Sequence, residues 1–216
     1  PITPRLALSN ISADYPLMLS TGRIRDQWHT MTRTGLSPRL NQHITEAFVQ
    51  VHPSDAKALG LTDAGLAHVS SVHGEVLLRV SITDQMRAGE VFAPMHWSEQ
   101  SANACVGKLI QSNIDPISKQ PEFKATPVSV RPAKTTDHGL LLLPIGALNH
   151  LKTLLPGFDY YSYRLLGEAI EVTFEQFAQL SEPQVECLLD QLSTLPGIEL
   201  SRAASLSDPA QGQERW

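Results

Sequence analysis

Residues 47–95 read AFVQVHPSDAKALGLTDAGLAHVSSVHGEVLLRVSITDQMRAGEVFAPM, and their punctuation decides the fold. Ala47–Val51 is a short apolar strand, and His52-Pro53-Ser54 then opens a short helix. Ser54 has the side chain of an N-cap and Gly60 that of a C-terminal stop. Gly65 marks a turn, after which Leu66–Val72 and Glu75–Ile82 flank His73-Gly74 as the two arms of a hairpin. Met86–Gly89 is a tight turn before the strand Val91–Met95. Working outward, Tyr15–Ser20 is a buried strand ending at Thr21-Gly22, and the alternating Thr126–Val130 closes the region; residues 1–14 read as an entry strand or linker. Many short strands interrupted by one short helix predict a mainly β fold, a closed or nearly closed barrel.

Composition sets the outer limits. A chain of 216 residues with 42% hydrophobic and 18% charged residues can bury a core and is not a disordered tail. No apolar run reaches the length of a membrane span, and no signal peptide is expected. Two cysteines, Cys105 and Cys187, stand far apart, which argues against a disulfide scaffold and favours a cytoplasmic location. Two cysteines cannot hold an iron–sulfur cluster, and the eight histidines form no ligand-spaced motif, so no metal site is expected from this chain's own side chains. Net charge is −5, which argues against non-specific nucleic-acid binding. Residues 1–134 carry a net +2 and residues 135–216 a net −7, a shift that suggests a boundary near Lys134.

Beyond that boundary Leu140–Leu143 is a short apolar run and Glu171–Thr173 a candidate strand. Thr173/Gln176 and Ser181/Gln184 are two possible capping boxes, the second with Pro183 in its first turn. Val185, Leu188, Leu189, Leu192 and Leu195 then repeat at helical spacing up to Pro196-Gly197. A small α+β lobe is predicted over 135–202, packed on the barrel with Val185, Leu188 and Leu192 buried, and a polar linker or tail over 203–216.

The chemistry concentrates in Ser20–Leu40, STGRIRDQWHTMTRTGLSPRL. Four arginines (Arg23, Arg25, Arg33, Arg39) face one acid, Asp26, among hydroxyls that include Ser20, Thr21, Thr30, Thr32 and Thr34, with glycines at 22 and 35. Glycine lets backbone N–H groups approach a phosphate, arginine donates bidentate charge-assisted bonds to it, and Trp28 and His29 can stack on a ring. The residues alone reach only a phosphorylated ring ligand, or else a solvated basic loop.

The stretch TGRIRDQWHTMTRTG resembles the cofactor loop of the molybdopterin oxidoreductases of the dimethyl sulfoxide reductase family. DPISKQPEFK at Asp115–Lys124, followed by Thr126-Pro127-Val128, resembles the closing segment of the nitrate reductases in that family. The order of strand, HPSDAKALGL, strand, hairpin and AGEVFAPMHW resembles the double-psi β-barrel, and the likeness spans about residues 12–131. It implies a molybdopterin dinucleotide-binding double-psi barrel over 1–134, holding part of a molybdopterin guanine dinucleotide. Thr21, Gly22, Arg23, Ile24, Arg25, Asp26, Gln27, Trp28, His29, Thr30 and Lys124 are the implied cofactor-binding residues. One position departs: those nitrate reductases place an asparagine where this chain has Gly107, so that contact is either lost or supplied by another group such as Asn103. His96-Trp97 lie near the family's funnel to the metal, or else are satisfied at a barrel rim. The resemblance places the metal's protein ligand in an earlier domain, so Cys105 is expected to be a packed small hydrophobe, and His52, His68 and His73 ordinary strand-end or turn residues.

These likenesses imply a C-terminal piece, starting at Pro1, of a longer cytoplasmic assimilatory nitrate reductase that reduces nitrate to nitrite by oxygen-atom transfer. The partners would be the N-terminal domains of the same enzyme, with the electron donor left open, and the isolated piece is expected to be inactive and metal-free. A formate dehydrogenase is the alternative, because its cofactor loop is very similar. A non-catalytic double-psi recognition module is another, but it gives the arginine loop and Lys124 no task.

Overall fold

A computed structural model describes residues 9–195, and the features expected over 196–216 lie outside the described residues. Six strands close a barrel: β1 (Leu17–Gly22), β2 (Phe48–Val51), β3 (Leu66–Ser70), β4 (Glu75–Ile82), β5 (Glu90–Pro94) and β6 (Thr126–Ala133). Their order around the barrel is β1-β5-β2-β4-β3-β6. Two pairs, β1 with β5 and β2 with β4, are parallel, and the other four are antiparallel. This interlocked closure is the double-psi arrangement in a mainly β protein. Alternation explains the core: Leu17, Leu19 and Thr21 of β1 point inward, as do Val49 and Val51 of β2, Val91 and Ala93 of β5, and Val128 and Val130 of β6. Full closure leaves no unpaired edge.

The helix α1 (Pro53–Leu59) follows β2, and its cap corrects the sequence reading. His52, not Ser54, is the N-cap: its Nδ1 accepts from the Ser54 amide at 3.2 Å. Proline at the first helical position lacks the N–H that would need a partner, which moves the cap one residue ahead of it. Gly60 ends the helix at φ 69°, a left-handed conformation that favours glycine.

A second unit follows β6. The antiparallel sheet β7 (Asp137–Pro144), β9 (Ala169–Gln176), β8 (Tyr160–Leu165) has β9 at its centre. It packs with α2 (Leu148–Leu154) and α3 (Glu182–Ser193) around Leu143, Leu151, Leu155, Ile170, Val172 and Leu192. Leu140–Leu143 and Glu171–Thr173 lie within β7 and β9, whereas β8 and α2 were not anticipated. Thr173 and Gln176 are strand residues, so the first capping box does not form; cross-strand pairing with β7 claims their backbone. The second does: the Gln184 carbonyl accepts from the Ser181 amide at 2.9 Å. Along α3 Leu192 is 1% exposed but Val185 is 36% exposed, so Val185 is not the core residue expected of it. Only the last turns of α3 meet the sheet. No helix among the described residues is long and apolar enough to cross a membrane.

Within the lobe sheet Gly139 faces Phe174 across the β7–β9 ladder, and a Cβ there would collide with the Phe174 ring. The ring covers the glycine and stacks on Phe158 with centroids 4.3 Å apart. Gly139→Ala is therefore expected to destabilise the protein by about 1–3 kcal/mol, read as a lower denaturant midpoint with an unchanged slope.

Candidate functional site

The loop 23–47 leaves the end of β1, and the segment carrying His96 and Trp97 leaves the end of β5. Because β1 and β5 run parallel, with Gly22 opposite Pro94, both emerge at one end of the barrel. The approach to β6 returns to that end: Thr21 donates to the Phe123 carbonyl through its amide at 3.2 Å and its hydroxyl at 2.8 Å. The Lys124 ammonium donates to the Thr21 carbonyl. Lys124 and the start of the arginine loop, about a hundred residues apart in sequence, therefore meet. Gly22 is needed there, since a Cβ would sit 2.7 Å from the Phe92 ring and 3.8 Å from Lys124 Nζ.

Along the loop the implied residues divide into two sets. Arg23, Trp28, His29 and Thr30 are exposed, with Arg23 lying 5.1 Å over the indole of Trp28 and His29 edge-on to it at 4.6 Å. Trp28 is 54% exposed, a large ring turned to solvent beside a cation. Arg23, Arg33 and Arg39 carry no ion pair among the described residues. Arg25 is different. Its guanidinium forks onto Asp26 at 2.9 and 3.0 Å, and His43 Nδ1 approaches the same carboxylate at 2.7 Å. The Arg25 hydrogen bond is the main reason that Asp26 lies below the usual carboxylate range. Arg25 and Asp26 thus cancel, and three cations remain for an anion. Thr21, Ile24 and Gln27 face inward and shape the loop: Gln27 is buried, and Ile24 packs on the barrel core.

His96 is the clamp of the loop's first half. Fully buried, it accepts from the Ile24 amide through Nε2 at 2.9 Å, and its Nδ1–H donates to the His29 carbonyl at 2.6 Å. These partners fix the neutral tautomer with hydrogen on Nδ1. They also hold the turn in which His29 (φ 46°) and Met31 (φ 61°) take left-handed conformations that side chains disfavour. His96 and Trp97 are both buried, so the segment underlies the loop. Asn103 does not replace the asparagine missing at Gly107: its amide donates to the Asp159 carbonyl at 2.7 Å and accepts from the Tyr161 amide at 3.0 Å, which commits it to the lobe. The Asp115–Lys124 segment is tied at its base, where Asp115 Oδ1 accepts from the Ile117 and Ser118 amides at 2.9 and 2.7 Å. Among the described residues no three His, Cys, Asp or Glu side chains cluster to hold a metal.

The sequence flagged His96 only as a secondary candidate and missed Asn41, whose role is taken up below. A buried polar clamp has no local signature; its partners lie on other elements.

Burial holds the His96 pKa below the usual histidine range, with its bond to His29 opposing and the nearby Arg23 charge assisting. A folded-state histidine pKa below the unfolded one means that the unfolded or opened loop takes up the proton first. The clamp is therefore complete above about pH 6.5 and weakens as pH falls below it. Residue-resolved amide exchange checks this: protection of the Ile24 amide is expected to drop on acidification, and His96→Gln, a neutral donor and acceptor, is expected to flatten that dependence. An Ile24 amide equally protected at pH 5 and pH 8 in the native protein would count against the clamp.

The comparisons with known proteins fit this geometry. The family described as "Molydopterin dinucleotide binding domain" matches residues 17–127. A nitrate reductase of Klebsiella oxytoca is 47% identical over 131 residues, 60% of this chain and 15% of that protein. The alpha subunit of an F420-dependent formate dehydrogenase 1 of Methanococcus maripaludis is 37% identical over 118 residues, 55% of this chain and 17% of that protein. The assimilatory nitrate reductase catalytic subunit of Bacillus subtilis is 32% identical over 133 residues, 61% of this chain and 18% of that protein. The matched stretch is thus less than a fifth of the length of each relative. With the match covering β1 through the start of β6 and the loops that meet at one barrel end, the chain belongs to the molybdopterin dinucleotide-binding domain family of the molybdopterin oxidoreductases.

Proposed function

We propose that this chain holds the guanine dinucleotide form of the molybdopterin cofactor in an assimilatory, cytoplasmic nitrate reductase. The observation that carries the reading is the meeting of Lys124 with the Thr21–Thr30 loop at one barrel end, beside Arg23, which has no ion pair among the described residues, and an exposed indole. That donor set fits a dinucleotide. Arg23 and Lys124 supply cations for a pyrophosphate or a pterin carbonyl, Thr30 supplies a hydroxyl, and Trp28 and His29 offer ring faces and edges to a purine. Gly22 lets Phe92 and Lys124 pack close against the start of the loop.

When bound, the cofactor supplies the molybdenum centre for oxygen-atom transfer from nitrate. This chain's residues bind and orient it. The Arg23–Trp28 pair presents cation and ring together, the Arg25–Asp26 pair takes surplus charge out of the loop, and His96 holds the loop's backbone in one shape. The nitrate reading follows the likeness to the nitrate reductases, and the N-terminal domains of the same enzyme are the partners it requires. A formate dehydrogenase is the second reading, favoured by the 37% identity with the Methanococcus maripaludis subunit.

Two measurements test the proposal. Arg23→Ala in the enzyme that contains this chain is expected to lower cofactor content, through loss of a charge-assisted bond worth about 1.5–3 kcal/mol. The melting temperature of the cofactor-free protein should stay unchanged, because Arg23 is exposed. Full cofactor occupancy and unchanged activity in that variant would reduce the loop to a basic surface. Separately, the native enzyme is expected to reduce nitrate with an artificial electron donor; formate oxidation without nitrate reduction would transfer the chain to the second reading.

A further inference from the structure

The family match ends at residue 127 and gives the lobe after β6 no task. We infer that the lobe is a brace for the arginine-rich loop, fixing its second half through Asn41 so that the ligand-facing residues are held in one arrangement. The purpose assigned to the brace rests on the cofactor reading above; the brace itself is a property of the protein alone.

Asn41 is buried, and its polar groups are used on both sides. Its Nδ2 donates to the Gly35 carbonyl at 2.8 Å, within the loop, and to the Leu165 carbonyl at 3.2 Å, in β8. Its Oδ1 accepts from Gln27 Nε2 at 3.1 Å, and its backbone carbonyl accepts from Arg164 Nη1 at 2.8 Å. Arg164 is held in turn by a fork onto Glu171 of β9, at 2.6 and 3.0 Å. On the loop side Gln27 Oε1 accepts from the Thr34 hydroxyl at 2.6 Å, and the Thr34 oxygen accepts from the Trp28 amide at 3.1 Å. A continuous relay therefore runs from the central strand of the lobe to the backbone of the exposed tryptophan. The relay is stiffest at its buried Asn41–Gln27 link, where a broken bond leaves a desolvated group without a partner.

The lobe also grips the other wall of the site. The outer edge of β8 pairs with residues 101–103: the Tyr163 amide donates to the Ser101 carbonyl at 2.9 Å and the Asn103 amide to the Tyr161 carbonyl at 3.3 Å. That segment follows His96 and Trp97. A cavity of about 280 Å³ lies between, lined by Thr30, Met31 and Trp97 on one side and Tyr163 and Leu165 on the other. The loop thus has two supports of different origin, His96 from the barrel for its first half and Asn41, tied to the lobe, for its second.

The test is residue-resolved amide exchange of Asn41→Ala and Arg164→Gln in the intact chain without cofactor, followed by cofactor retention in the enzyme that contains it. Both variants are expected to speed exchange of the Trp28, Met31, Gly35 and Leu36 amides by about tenfold. The Ile24 amide, held by His96, and the Val49 and Leu78 amides of the barrel should stay unchanged. Should Asn41→Ala not fold, Arg164→Gln carries the test, because it leaves Asn41 in place. Unchanged loop exchange, or equal acceleration of loop and barrel, overturns the brace. A loosened loop with normal cofactor retention upholds the brace and overturns the cofactor reading, whereas lost cofactor with an unchanged loop does the opposite.

Discussion

The site depends on the parallel register of β1 against β5. Parallel neighbours end at the same edge of a sheet, so the loops that leave them must emerge together. Gly22 opposite Pro94, with the Met95 amide donating to the Gly22 carbonyl at 2.9 Å, brings the arginine loop within reach of His96. The antiparallel pairing of β6 with β1 then returns Phe123 and Lys124 to the same edge. Barrel closure has already ordered these strand ends, so little further chain entropy opposes the meeting of groups so far apart in sequence.

Arg79 is one of the ties that seat the lobe, beside the bridge of β8 to residues 101–103 and the bond of Asn41 to Leu165. The Arg79 guanidinium reaches Glu46 beside the barrel at 2.8 Å and Glu175 of β9 at 2.5 Å, and lies 5.3 Å over the ring of Tyr160. Tyr160 donates to Glu46 at 2.6 Å and Thr135 to Glu175 at 2.5 Å. Burial works against the Arg79 charge, but the two carboxylates outweigh it and its pKa is raised. Such a cluster adds little to net stability because desolvation offsets its Coulomb gain, but it tolerates few arrangements. It therefore restricts the position of β9, which carries the Glu171 that holds Arg164.

Elements built from local pattern were legible in the sequence. The hairpin, α1 and its glycine stop, and the strands of the barrel follow from alternation and turn residues, with ends displaced by up to three residues. β8 (YYSYRL) was missed because three tyrosines and an arginine do not alternate as apolar against polar, although Tyr160 and Ser162 point inward. α2 was missed because it is short and lacks a side-chain cap. Val185 was misread because helical spacing shows which face is apolar but not how far along the helix the sheet extends. In the site, Gly22, Arg23 and Trp28 stand out by type and spacing, whereas Lys124 is implied only by the family resemblance of Asp115–Lys124. The division of labour in the loop does not: that Arg25 is cancelled by Asp26, and that Gln27 is buried, depends on residues brought in from Leu40 to His43.

A loop rich in like charge, whose Arg23, Arg33 and Arg39 carry no ion pair among the described residues, gains from being held in one arrangement. Two means are available, an anion between the charges or a rigid backbone beneath them, and this protein provides the second before any anion arrives. Preorganisation of this kind favours binding, because the ordering cost falls on folding and not on ligand capture. The two supports differ in chemistry. His96 must be neutral to accept from Ile24, so it responds to acid, whereas the amide of Asn41 does not titrate. Acid thus releases the His96 contacts at Ile24 and His29, while the relay from the lobe through Asn41 to the Trp28 amide keeps its shape. The lobe's contribution is a part of the site that holds its geometry when the barrel's own clamp is protonated.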